Sequence, residues 1–175
     1  MPAVAGKDLE RSRTISWEDP LPGARAGAEM AGLEYLRAMQ AGRLPAPPIM
    51  ATLGIGMESA DEGRVVFFCD PDEYHYNPIG VVHGGLAATL CDTATACAVH
   101  STLPAGTAYT TLEIKVNYVR ALTRDTGRIF CEGTVIHAGG RVATSEAHIR
   151  DARGTLYAHA TSTCMVFRPA RGGGG

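Results

Sequence analysis

Lysine is nearly absent from this chain: Lys7 and Lys115 are the only two. Arginine supplies the other basic residues, and 16 basic against 18 acidic side chains leave a formal net charge of −2. That balance gives no basic stripe for nucleic acid or an anionic membrane surface, so neither partner is expected. Apolar runs are short as well. None approaches the roughly 18 consecutive apolar residues that span a bilayer. The opening MPAVAGKDLERSRT lacks the apolar stretch of a secretion signal. A cytoplasmic protein is expected.

Paired cysteines are missing too. Cys69, Cys91, Cys97, Cys131 and Cys164 are odd in number, form no CxxC, and each has apolar neighbours. They read as buried free thiols in a reducing compartment rather than a disulfide framework. With no HExxH and no Cys/His cluster, no metal site is expected. Aromatics make up 6% of the chain, which gives no argument for an aromatic cage around a ligand.

The 175 residues suffice for one domain with its own core. Residues 1 to about 23 are polar and expected to drape loosely. Met30, Leu33, Leu36 and Met39 recur at helical spacing, which predicts one amphipathic helix over about 27–42, stopped by PAPP. Residues 1–48 are therefore an N-terminal extension, 49–168 the main domain, and 169–175 a Gly-rich tail expected to be disordered. Strands are predicted over 49–58 and 63–70, joined by ADEG, followed by the loop PDEYHYNPIGVV.

Residues 83–100 predict a long helix. Leu86, Leu90, Ala94 and Cys97 form its stripe, and Ala87, Ala88, Ala96 and Ala98 keep its other faces slim. Then the period changes to two. Leu112, Ile114, Val116 and Tyr118 are expected on a buried strand face, with Thr111, Glu113, Lys115 and Asn117 opposite. Strands over 127–137, 141–151 and 154–167 follow, separated by the turn signals HAGGR and DARG. Such short connections favour antiparallel pairing. The expected fold is α+β, a curved antiparallel sheet wrapped round one long central helix.

Chemistry concentrates in HYNPIGVVHGGLAATLCDTATACAVH, residues 75–100. Gly84 falls in the first helical turn, where backbone N–H groups lack intrahelical partners and the helix dipole favours negative charge. Such a donor suits a developing oxyanion, and glycine leaves a substrate carbonyl unobstructed. Two glycines at a helix start are equally a close-packing device. Asp92 sits among small apolar residues, where a carboxylate is costly unless paired. It is either a structural hydrogen-bond acceptor or a general base or nucleophile in a dry site.

Spacing separates two geometries. Asp92 follows Gly84 by eight residues, about 12 Å along a helix axis. An attacking group must come within about 3.5 Å of its carbonyl carbon. If both residues are catalytic, Asp92 must face Gly84 of a second copy, across a two-fold axis between antiparallel long helices. Asn77 and His83 flank the helix start and can orient a carbonyl or water. Thr111 offers a hydroxyl early in the next strand. His75 is expected to be structural, and His100, His137, His148 and His159 to lie on helix or strand surfaces.

NPIGVVHGGLAATLCD followed by TTLEIKVNYVRA resembles the PaaI-type acyl-CoA thioesterases of the hotdog-fold superfamily. The resemblance runs over about residues 49–168, and the motif carrying it is Asn77, His83-Gly84-Gly85 and Asp92. It implies a hotdog fold, sites at a homodimer interface, and dimers paired into a homotetramer. It implies hydrolysis of an acyl-CoA without metal or cofactor, coenzyme A entering as part of the substrate. Asp92 would be the base or nucleophile and Gly84 the oxyanion donor. His83 and Asn77 would orient thioester or water, and Thr111 would assist Asp92. Arg120 with Gly139, Gly140 and Arg141 would meet the CoA nucleotide. Water activation and a covalent anhydride both remain open, as does the acyl group, aryl-acetyl or aliphatic. The rival readings are a non-catalytic acyl-CoA-binding hotdog protein and an enoyl-CoA hydratase-like enzyme.

Overall fold

The computed structural model describes residues 11–168. Three short helices come first, α1 (Pro20–Glu29), α2 (Gly32–Gln40) and α3 (Pro48–Leu53). The hairpin β1 (Ile55–Asp61) and β2 (Arg64–Cys69) leads through a single 3-10 turn to the long helix α4 (Gly84–His100). Four strands complete the chain: β3 (Ala108–Tyr118), β4 (Ile129–Ala138), β5 (Val142–Asp151) and β6 (Leu156–Phe167). They form one six-stranded sheet in the order β1-β2-β4-β5-β6-β3, every neighbouring pair antiparallel. The α+β fold inferred from the sequence is the observed one. No helix among the described residues is long and apolar enough to cross a membrane.

Helix α4 lies in the concave face of the sheet because its residues are small. Leu86, Leu90, Ala94 and Ala98, with Ala87, Cys91, Thr95 and Val99, are its buried residues. At Gly133 on β4 a Cβ would overlap the Ala94 carbonyl, so glycine alone permits that approach. Phe67, Leu90, Ile129, Ile149 and Val65 fill the core between helix and strands. Cys97, expected on the apolar stripe, lies off it on a half-buried face with Asp92, Thr93 and Ala96.

The N-terminal region departs from its expected form. The single helix over 27–42 is two helices, broken where Met30 turns extended with φ −100° and ψ 154°. Tertiary contact sets the break. The Gly32 N–H donates to the Leu103 carbonyl at 2.9 Å, and a Cβ on Gly32 would overlap the His100 carbonyl. Helix α1 also starts earlier than expected, at Pro20, capped by the Asp19 carboxylate accepting from Leu21 N–H. Residues 49–53, expected as strand, are helical. Pro48 presets the first turn and Gly54, at φ 65°, ends it left-handed. The expected Gly-rich tail and residues 1–10 lie outside the described residues.

Strand β3 also differs from strict alternation. Its register against β6 slips between Thr111 and Glu113, a bulge that leaves Leu112 52% exposed. Thr107, Tyr109 and Thr111 are half-buried before the bulge, and Ile114 and Val116 after it. One extra residue thus reverses which parity faces the helix. The strict period predicted Leu112 inside; the bulge puts Thr111 there instead.

Gly32→Ala is expected to destabilise the fold by about 1–3 kcal/mol or more through overpacking. Gly140, with nothing within 4 Å of a Cβ, should tolerate alanine with little change. Thermal unfolding of the two variants checks the contrast.

Candidate active site

Asp92 is half-buried on the less covered side of α4, facing the edge strand β3. Its Oδ1 accepts a hydrogen bond from the Thr111 hydroxyl at 3.0 Å. That bond uses the threonine's only proton, so the carboxylate is oriented while its remaining acceptor capacity is open. Ala88, Thr89, Thr93 and Ala96 share this half-buried side of the helix.

The other predicted residues gather at the N-terminus of α4. His83 is the N-cap, and its Nδ1 accepts from the Gly85 N–H at 2.8 Å. With Nδ1 occupied, the neutral ring carries its proton on Nε2, which is left to donate. The Gly84 N–H has no acceptor among the described residues and remains an unfilled donor at the positive helix end. Tyr118 lies over Gly84, donating to its carbonyl at 3.2 Å, and a Cβ at position 84 would come within 3.1 Å of the Tyr118 ring. Asn77 Oδ1 accepts from Ile79 N–H and Val81 N–H at 3.1 and 3.3 Å. Its carbonyl oxygen shapes the loop and its amide NH₂ is free to donate.

Arg120 joins this end. A cavity of about 360 Å³ is lined by His83, Gly84, Tyr118 and Arg120 together. The β4–β5 turn with Gly139, Gly140 and Arg141 is elsewhere. The Arg141 carbonyl accepts from Val166 N–H, and Val166 pairs with Tyr109, whereas Ala158 pairs with Tyr118. Nine strand residues, about 30 Å, separate the two ends. One chain therefore collects Asn77, His83, Gly84 and Arg120 at one end of α4, Asp92 and Thr111 near its middle, and Arg141 beyond its far end.

Two histidine assignments resolve differently. His75 is structural as expected. It is buried, its Nδ1 accepts from Asp72 N–H, and its Nε2 lies 3.0 Å from the Leu53 carbonyl. His100, expected on the surface, instead lies between Tyr35 and Tyr109, ring centroids 5.5 and 4.9 Å away. Burial lowers its pKa. Its position depends on the break before α2, which local spacing does not encode. Tyr109 carried a readable signal: it stands two residues before Thr111 on the same strand face.

Comparison with known proteins identifies the family. The model of the thioesterase superfamily matches residues 79–158. A Halobacterium salinarum protein named as an esterase is 31% identical over 131 residues, covering 69% of this chain and 85% of that one. The chain belongs to the thioesterase superfamily. A solved Ralstonia eutropha structure, named as a thioesterase and phenylacetic acid degradation-related protein, is similar at 27% identity. Its TM-score is 0.67, covering 74% of this chain and 97% of that chain. The PaaI protein of Escherichia coli shares the fold at 21% identity and TM-score 0.67, over 79% and 96% of the two chains. This hotdog-fold thioesterase carries Gly84, Asp92, Thr111, Arg120 and Arg141 inside the matched region. Asn77 lies just before it, and α1 and α2 well before it.

The five cysteines are free, all but Cys97 fully buried. Burial, and then the neighbouring Asp92 charge, push the Cys97 thiol up to about 12. Burial likewise pushes Cys69 to about 11. A thiol with a raised pKa stays protonated, and only the thiolate is an efficient nucleophile. The folded thioesterase should therefore react negligibly with a chromogenic disulfide near neutral pH, and release five equivalents of colour once denatured. A rapid stoichiometric reaction of the native protein would contradict this reading.

Proposed function

We propose that this thioesterase hydrolyses acyl-CoA esters, small or medium, aryl-acetyl or aliphatic, to the free acid and coenzyme A. The observation carrying the proposal is the Asp92 carboxylate, held by Thr111 at 3.0 Å on the same helix as the unfilled Gly84 N–H. The two lie about 12 Å apart along the axis, so a complete site takes Asp92 and Thr111 from one subunit. The partner subunit supplies its own Gly84, His83 and Asn77.

Two features favour such a pairing. The less covered side of α4 is slim, with alanines and threonines around Asp92, which lets a second helix approach closely. Strand β3 is an edge of the sheet with Leu112 and Tyr118 exposed, as is Val119 just after it, and an unpaired edge is a template for another chain. Antiparallel pairing of the helices also brings the Arg141 end of one subunit toward the Arg120 end of its partner. Two guanidinium groups then flank the mouth, suited to the phosphates of CoA. Two such dimers would associate as a homotetramer.

In this arrangement the partner's Gly84 N–H stabilises the carbonyl oxygen as it gains charge. Asn77 NH₂ and His83 Nε2–H are the further donors at that end. Asp92 takes a proton from water as the water oxygen attacks the carbonyl carbon. The tetrahedral intermediate then collapses, breaking the C–S bond, and the proton passes to the departing CoA sulfur. Direct attack by Asp92, forming an anhydride that water then opens, uses the same geometry.

Thiol release from a panel of acyl-CoAs is expected for the wild type, falling about 10²-fold or more in Asp92→Ala. Equal rates would sink the role given to Asp92. If CoA esters bind without any hydrolysis, the binding-protein reading takes over; hydration of an enoyl-CoA without thiol release would favour the hydratase-like one. Subunit mixing tests the shared site separately. Asp92→Ala and Asn77→Ala, each impaired alone, should recover about a quarter of wild-type activity when dissociated and reassociated together, because half the dimers then hold one intact site. No recovery in verified mixed dimers would place the whole site within one subunit.

A further inference from the structure

A second cavity, of about 430 Å³, opens between the N-terminal helices, the C-terminal half of α4 and the start of β3. Tyr35, Met39, Cys97, His100, Thr107 and Tyr109 are among its walls. It lies further along the two elements that carry Asp92 and Thr111. Tyr109 and Thr111 on β3, with Thr107 just before it, form one half-buried row, with about 7 Å between successive members, and Thr111 holds Asp92. Along α4, Cys97 follows Asp92 by about 7.5 Å and His100 by about 12 Å. An acyl group whose carbonyl carbon sits beside Asp92 would reach these walls with its distal end.

The chemistry of the walls is specific. Tyr35, His100 and Tyr109 form a row of rings with centroids 5.5 and 4.9 Å apart. Neither phenol hydroxyl and neither imidazole nitrogen makes a hydrogen bond among the described residues, although all three rings border the cavity. Burial raises the Tyr109 phenol pKa well above its ordinary value and lowers that of His100, so both groups are neutral near pH 7. No Arg, Lys, Asp or Glu lines the cavity. The site therefore offers uncharged donors and acceptors within apolar walls. It suits a neutral oxygen and gives no counter-ion to a terminal carboxylate.

We propose that this cavity holds the distal end of the acyl group, and that Tyr35, His100 and Tyr109 select acyl groups bearing an uncharged oxygen there, a hydroxyl or carbonyl. The assignment rests on the acyl-CoA reading above. Tyr35 comes from α2, outside the family-matched region, so the N-terminal helices supply part of the specificity. Gly27 on α1 makes room for it: a Cβ there would come within 3.1 Å of the Tyr35 ring. An ester with a hydrocarbon end displaces water from the three polar groups without replacing its hydrogen bonds, and that loss is the basis of selection.

The test compares matched CoA esters on the full chain: para-hydroxyphenylacetyl against phenylacetyl, and omega-hydroxyhexanoyl against hexanoyl. Calorimetry on Asp92→Asn protein reads affinity without turnover. At least one hydroxylated ester should bind about tenfold or more tightly than its partner. That ratio should fall toward unity in Tyr35→Phe and in Tyr109→Phe, each made in the Asp92→Asn background. Ratios near unity for both pairs in the parent overturn the proposal without any variant. A preference that survives both phenylalanine substitutions overturns the role of these rings, and failure of every ester to bind overturns it as well. Thiol release by the wild type, measured alongside, addresses hydrolysis alone. Its absence would remove the thioesterase reading while the binding ratios still decide what the cavity accepts.

Discussion

The close approach of α4 to the sheet is the constraint on which the other features depend. Gly133 lets the backbone of β4 meet the Ala94 carbonyl, and Ala94 and Ala98 keep that side of the helix thin. A helix seated this deeply is gripped by β2, β4, β5 and β6. Its other side then carries the one carboxylate of the helix at half burial, within reach of the next strand. A bulky residue at position 94 or 133 would lift the helix and carry Asp92 away from Thr111.

The ends of that helix hold different chemistry. Its N-terminus is positive and donor-rich, with one N–H capped by His83 and another unfilled. Its C-terminus abuts α2, with the His100 carbonyl against Gly32 and the His100 ring between two tyrosines. An anion-stabilising end, a carboxylate at mid-helix and a neutral pocket beyond form a linear order. In the proposed dimer these belong to two different sites: the carboxylate and the neutral pocket serve one, and the donor-rich end completes the site of the partner.

Much of this was legible in the sequence. The helix over 84–100 was visible from its slim apolar pattern, the final strands from their turns, and the candidate site residues at the start and middle of that helix from one motif. Three features were not legible, for separable reasons. The break between α1 and α2 follows from where Gly32 meets α4, a contact between residues far apart in sequence. The short α3 was signalled by Pro48 and Gly54, but six residues fall below the length at which periodicity speaks. The pocket formed by Tyr35, His100 and Tyr109 joins three distant segments, and no local pattern links them. The nearness of Thr111 to Asp92 was expected and is observed, yet the alternation used to place Thr111 pointed its side chain the other way.

That last point concerns the bulge at Leu112. Strand β3 behaves as two reading frames joined by one inserted residue: Thr107, Tyr109 and Thr111 belong to the first, Ile114 and Val116 to the second. The first frame faces the helix with polar and aromatic groups, the second with core aliphatics. Deleting a residue at the junction would fuse the frames, and either the chemistry or the core would turn outward. Insertions in the connecting loops, by contrast, can be absorbed at the surface. Here a single residue of length keeps the half of the strand that meets Asp92 and the half that meets the core in phase with α4.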